Sequence, residues 1–169
     1  MTERVLVRPA AAGGVLLTLE PGERRVIASL AGELREVLAD RPHDPVIARL
    51  HPPVMPDDPL ESAAFEDLVR EDLDDGRIQA LDTVARTIDA GSLDAAEAAA
   101  WLGVCNDLRL VLGTRLDVTE ETELREVDEG DPDAWPLLVF HFLGWLVSSF
   151  VDVLAVGLPD VDDGWIAPG

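Results

Sequence analysis

The sequence predicts a mainly α domain, a helical bundle of about five helices with an N-terminal β-hairpin. Three observations carry that reading. Apolar residues recur every three or four positions over several long segments, β-prone runs are confined to the first twenty residues, and proline and glycine clusters separate the helical stretches. With 169 residues the chain fits one domain large enough to bury a core. Residues 1–157 are assigned to it, and 158–169 to a mobile acidic tail in which Trp165 and Ile166 offer an apolar contact.

Residues 4–8 (RVLVR) and 15–19 (VLLTL) form the expected hairpin, with the glycines of PAAAGG supplying the reversal. Pro21-Gly22 is read as the end of the second strand. From Glu23 to Asp40 the positions Val26, Ile27, Leu30, Leu34, Val37 and Leu38 mark one face of an amphipathic helix, stopped by Pro42. Six prolines between 41 and 59 leave room for one helical turn around Val46–Leu50 and otherwise impose loop.

A helix resumes near Pro59, but its apolar residues change face. Phe65, Leu68, Val69 and Leu73 form one stripe, and Ile78, Leu81, Val84, Ala85 and Ile88 form another, roughly opposite. Either the helix breaks at Asp74-Asp75-Gly76 or one long helix packs its two ends against different neighbours; the second is preferred. After Gly91, Ser92 or Asp94 caps the next helix, whose buried stripe is Trp101, Val104, Cys105, Leu108, Val111, Leu112 and Leu116. An acidic connector spans 117–134. The last helix, about 134–156, is apolar nearly all round and long enough for a membrane span. His141, Ser148, Ser149 and Asp152 lie within it, and no arginine follows Arg125, so a core helix or dimer interface is the better reading.

The net charge of −21, from 34 acids against 13 arginines and no lysine, repels phosphate backbones and anionic membranes. It favours a basic protein partner. A helix-turn-helix drawn through Gly76, with Arg77, Gln79 and Arg86 as readers, is crowded by Asp74, Asp75, Asp82 and Asp89. No basic, apolar leader opens the sequence, so a cytoplasmic location is expected. No cofactor, metal or catalytic residue is nominated. His43, His51 and His141 lack ligand spacing, and Asp72–Gly76 fails as a calcium loop because Leu73 falls where an oxygen ligand is needed. There is no nucleophile elbow, phosphate loop or dinucleotide fingerprint. The chain is therefore read as a non-enzyme.

Residues 101–118, WLGVCNDLRLVLGTRLDV, stand out because they hold the sole asparagine. Asn106 and Arg109 share a helix face, and Gly113 leaves a small spot where another backbone can approach. Trp101, Asn106, Arg109 and Arg115 are the candidates for an interaction site or a polar network. The two readings are a buried network, with Arg109 paired to a carboxylate and Asn106 capping a loop, and a docking or ligand-sensing cluster. Cys105 is the redox candidate, although its place on an apolar stripe favours a buried thiol.

WLGVCNDLRLVLGTRL, together with DPVIARLHPPVMPDDP upstream and FHFLGWLVSSFVDVL downstream, resembles an actinobacterial family over roughly residues 4–155. That family, formerly a domain of unknown function, is named for the oxidative-stress regulator AosR. The resemblance implies redox-responsive control of transcription through contact with a stress sigma factor, and a gene placed beside the ClpS protease adaptor. The chain departs from it at the switch. An intramolecular disulfide needs a second thiol about 5–6 Å away between Cα atoms, but positions 101 and 109 are Trp and Arg and Cys105 is the lone cysteine. Oxidant sensing here requires sulfenylation of Cys105 or an intersubunit disulfide. The expected function is regulation of stress transcription by protein contact, with a homodimer through apolar surface that includes the last helix. An adaptor module linked to regulated proteolysis and an uncharacterised enzyme are the rivals.

Overall fold

Residues 4–51, 59–119, 130–132 and 134–156 are described by a computed structural model, with only the backbone given for 59–62 and 64. The order is β1 (Val7–Pro9), a 3-10 turn (Ala11–Gly13), β2 (Val15–Leu17), α1 (Pro21–Asp40), a 3-10 helix (Pro45–Leu50), α2 (Pro59–Thr87), β3 (Ser92–Leu93), α3 (Ala95–Arg115) and α4 (Ala134–Val156). The domain is mainly helical with an N-terminal hairpin, as the patterning predicts. Most of the acidic connector and the tail lie outside the described residues.

The hairpin is antiparallel, pairing Val7 with Leu17 and Pro9 with Val15. Pro9 is tolerated because β1 is an edge strand. The reversal uses left-handed backbone at both Ala12 (φ 62°) and Gly13 (φ 80°). Gly14 serves a different need: a Cβ there would sit 2.4 Å from the carbonyl oxygen of Leu93. That close approach belongs to a third strand the sequence reading missed. β3 pairs antiparallel with β2, Val15 opposite Leu93, and is too short to show alternation.

Helix α1 begins two residues earlier than expected. Pro21 is its first residue, where the missing N–H costs nothing, and the Glu23 carboxylate accepts the Glu20 N–H at 2.8 Å. Its buried line is Ile27, Ala31, Leu34, Val37 and Leu38. Helix α2 is continuous through Gly76, as preferred, but its two ends do not both find neighbours. Leu81 and Val84 are buried, with Ile78 and Ile88 packed beside them, whereas Phe65, Leu68 and Leu73 stay exposed. Among the described residues, nothing buries these three members of the first stripe. Arg24 closes the far end of α2, donating to the carbonyls of Ile88 and Ala90 where the helix dipole favours a cation.

Asp94, not Ser92, caps α3: its carboxylate accepts the Glu97 N–H at 2.8 Å, and Glu97 returns the bond to the Asp94 N–H at 3.1 Å. Helix α3 is the hub, contacting α1, α2, α4, β3 and the 3-10 helix. Its buried residues are Ala98, Trp101, Val104, Cys105, Leu108, Val111, Leu112 and Gly113. Helix α4 is not the enclosed centre that its composition suggests. One face, with Leu137, Phe140, Leu143, Leu146 and Phe150, packs on α3 and β1. The other leaves Trp135, Leu138, Trp145 and Val151 exposed.

Candidate functional site

Two arrangements can carry function: a cluster of charges where the 3-10 helix meets α2 and α3, and an apolar groove beside α4. The cluster joins the 3-10 helix, α2 and α3. Nε2 of His51 lies 2.6 Å from the Asp74 carboxylate and Nδ1 lies 3.2 Å from the Ile47 carbonyl. Both ring nitrogens thus face oxygen acceptors. The two bonds form together only if both nitrogens carry protons or Asp74 does. Arg77 lies within 3.5 Å of Asp74 and 3.3 Å of Asp107, and donates to the Leu50 carbonyl at 2.6 Å. All four side chains are largely buried. Burial pushes the Asp107 carboxyl above its ordinary range, with Arg77 and His51 pulling against that shift and Asp74 adding to it.

Of these four residues, the sequence reading weighed Arg77 only as a DNA reader, His51 only as a metal ligand, and Asp74 as part of a failed calcium loop and as an acid crowding the DNA reading. Arg77 turns inward to two carboxylates and a carbonyl, which is a second ground, beside the crowding acids, against the DNA-reading sketch. A signal was present. Asp74 lies four residues before Ile78 and seven before Leu81, in phase with the buried stripe, and Asp107 lies between Val104 and Val111 in the same way. Among the described residues no group of three His, Cys, Asp or Glu side chains could hold a metal ion.

The structure separates the five residues singled out from the sequence. Trp101 is fully buried; its ring stacks on Phe150 at 6.4 Å, and Nε1 donates to the Thr87 hydroxyl at 2.8 Å. It is a core anchor, not an exposed contact. Cys105 is equally buried, and desolvation pushes its thiol up to about 12. That removes the thiolate an oxidant would attack and argues against the redox role. Asn106 is exposed in the middle of α3 and caps no loop. Arg109 is half-buried, with its guanidinium 4.7 Å from the centre of the Phe140 ring. Arg115 pairs with Glu33 of α1 at 3.2 Å on the surface. Gly113 admits no backbone; a Cβ there would meet the Phe140 ring at 3.1 Å and Arg49 at 3.6 Å. Gly144 makes room for Arg109, whose Nε would lie 3.1 Å from an added Cβ.

The groove has a volume of about 540 Å³ and is lined almost wholly by apolar surface. Gly22, Arg25, Val26 and Ser29 of α1 form one wall; Trp135, Leu138, Val139 and Phe142 of α4 form the other. None of Cys105, Asn106, Arg109 and the three histidines lines it. A trench of this kind suits an apolar side-chain row better than chemistry.

A family model described as a domain of unknown function, DUF2017, matches residues 5–154. The chain belongs to this family. No curated protein and no solved structure matches it. The match covers every strand and helix described above, up to the last turn of α4, so both the charge cluster and the groove lie within the DUF2017 domain.

Proposed function

We propose that this DUF2017 protein is a regulator of the AosR type, which modulates stress-response transcription through protein contacts, with a sigma factor as the partner. The observation that carries this reading is the outer face of α4, where Trp135, Leu138 and Trp145 meet solvent at 65 %, 50 % and 41 % exposure. Large apolar residues clustered in this way mark contact surfaces. The charge of −21 adds that the contact is with protein, not nucleic acid.

The resemblance alone would make oxidation of Cys105 the trigger. The buried thiol speaks against that, so the control proposed here runs through assembly. The charge cluster supports a structural role: it ties α2, α3 and the 3-10 helix together and fixes the frame on which the outer face is displayed. The same α4 is long and apolar enough to cross a membrane by length and composition. The better account is a one-sided helix of a cytoplasmic protein, since its inner face is packed on α3 and β1.

Affinity purification from oxidant-stressed cells is the test. Recovery of a sigma factor, together with altered transcription of that factor's targets when the gene is deleted, is the expected result. Recovery of protease components with unchanged transcripts would replace the proposal with the adaptor reading.

A further inference from the structure

We propose that the groove between α1 and α4 is the docking site for a cationic amphipathic helix supplied by another protein. This rests on the reading above only in requiring a protein partner, and it is tested by binding and not by transcription.

The residues of the α4 wall set the shape of the occupant. Trp135, Leu138 and Phe142 of that wall, with exposed Trp145 beyond it, follow one another in steps of three, four and three. That is the spacing of the apolar seam by which one helix receives another. The seam stops at Ser149 and Asp152, the next two positions in the same series. It therefore offers about 15 Å, close to three helical turns. The opposite wall runs Gly22, Val26 and Ser29, in steps of four and three, and it is low. Among the described residues, nothing lies within 4 Å of where a Gly22 Cβ would sit. A low wall against a row of large rings lets a third helix settle between α1 and α4 with its own apolar residues turned in.

Charge sets the chemistry of that helix. The α1 line continues past Ser29 into Glu33 and Glu36 and is preceded by Glu20, all exposed, and the α4 line ends in exposed Asp152. Glu20 and Glu23 are already paired with Arg4, at 3.3 and 2.6 Å, and Glu33 is shared with Arg115, so the attraction for a cationic helix rests most on Glu36 and Asp152. Arg25, the cation on the α1 wall, is exposed and positioned to take one carboxylate of the occupant. A second copy of this chain would bring another −21 to the same surface, whereas a cationic helix is drawn toward it.

The test uses the full chain and a fluorescein-labelled synthetic helix of about 18 residues, with leucine at seam positions, one glutamate placed to face Arg25, and arginine and glutamine elsewhere. Two control peptides accompany it: one with the same composition shuffled so that leucine has no helical period, and one with glutamate in place of arginine. Fluorescence anisotropy at physiological salt should show the periodic cationic peptide binding at least ~10-fold more tightly than either control. Leu138→Gln and Trp135→Ala should each weaken it by ~10-fold or more, with unchanged thermal melting. Equal binding of the shuffled peptide would reduce the attraction to bare charge and overturn the proposal. So would equal binding of the glutamate peptide, or indifference to Leu138→Gln. A stable dimer dispersed by Leu138→Gln would assign the groove to a second copy. A co-purifying apolar small molecule seen by native mass spectrometry with the wild type and lost with Leu138→Gln would assign it to a ligand. Either result would also overturn the proposal. A peptide result as expected, with no sigma factor recovered from cells, would leave the groove assigned and the transcriptional reading refuted.

Discussion

Helices α3 and α4 are nearly the same length, and α4 is the more apolar, yet α3 is the one buried on several sides. The difference lies in what each has for neighbours. Helix α3 is contacted by α1, α2, α4, β3 and the 3-10 helix, so even alanine and glycine on it are buried. Helix α4 has α3 and β1 on one side and a trench on the other. Hydrophobicity measures what a helix would gain from being covered. Burial measures whether anything covers it. The two part company on α4, and that gap is the strongest sign of function in the molecule.

The contrast can be broken most severely at Trp101. Trp101→Ala removes the ring stacked on Phe150 and the indole N–H bond to the Thr87 hydroxyl, so it should cost about 3–5 kcal/mol in denaturant unfolding. A loss under ~1 kcal/mol would deny α3 its place as the hub. Cys105 probes the same helix through pH. Its folded thiol sits at about 12 against an ordinary 9.0, so the stability tied to its neutral form is complete below pH 9.0 and is lost as pH rises toward 12. By the top of that window the loss is on the order of 4 kcal/mol. Cys105→Ala should lack this alkaline limb, and native Cys105 should react with iodoacetamide only as fast as the protein unfolds. Rapid alkylation of folded protein would restore the redox role.

Arg77 tests the charge cluster. Arg77→Met leaves Asp74 and Asp107 facing each other without their shared cation and should cost about 3 kcal/mol at neutral pH. The sign of its pH dependence follows from Asp107. Losing Arg77 raises a carboxyl that burial has already raised, and stability from a raised acid is held at low pH and lost as pH rises. The variant should therefore lie closest to wild type in acid and fall furthest behind above the carboxylate range. Urea unfolding across pH measures it, and a gap that widens toward low pH would refute the assignment.

The fold was legible wherever a periodic pattern met a neighbour that matched it. The stripes of α1 and α3, and the second stripe of α2, are buried much as their spacing predicts. The helix starts at Pro59 and Asp94 sit on the residues expected to favour them, whereas Pro21, which reads as the end of a strand, opens α1. What failed was anything set by the partner and not by the segment. Phe65, Leu68 and Leu73 form as good a stripe as Leu81 and Val84 but are not buried by any described residue. β3 exists because Val15 and Leu16 are there to pair with, not because two residues can announce a strand. Within the candidate site, the composition of α4 advertised an interface, but only the position of α1 turned its outer face into a groove. The cluster around Asp74 was hidden because a carboxylate in phase with an apolar stripe looks the same whether it closes the stripe or interrupts it.

Two glycines compare α3 with α4 more finely. Both leave room for a side chain 3.1 Å from where a Cβ would be placed, but the neighbours differ. At Gly113 the neighbour is the buried Phe140 ring, which has nowhere to move, so Gly113→Ala should destabilise by about 1–2 kcal/mol despite the better helix propensity of alanine. At Gly144 it is the long Arg109 side chain, which yields, so Gly144→Ala should fall within about 0.5 kcal/mol of wild type. Equal costs would mean that Arg109 is held as rigidly as Phe140.

The smallest effect is expected at Leu138, and it is the one most informative about α4. Half of its surface already meets water in the isolated chain, and it lines the open trench. Leu138→Ala removes little buried surface and leaves no enclosed cavity, so the unfolding free energy should change by under about 0.5 kcal/mol, against the several kcal/mol of a core leucine. Measured at high dilution, a loss near the core value would mean that the outer face is covered even when the protein is alone, and the difference between α3 and α4 would disappear. A negligible loss at high dilution that grows when a binding helix is added would show that the exposed leucine contributes its stability only through the partner. The apolar surplus of α4 would then be a property of the complex, held in reserve by the free chain.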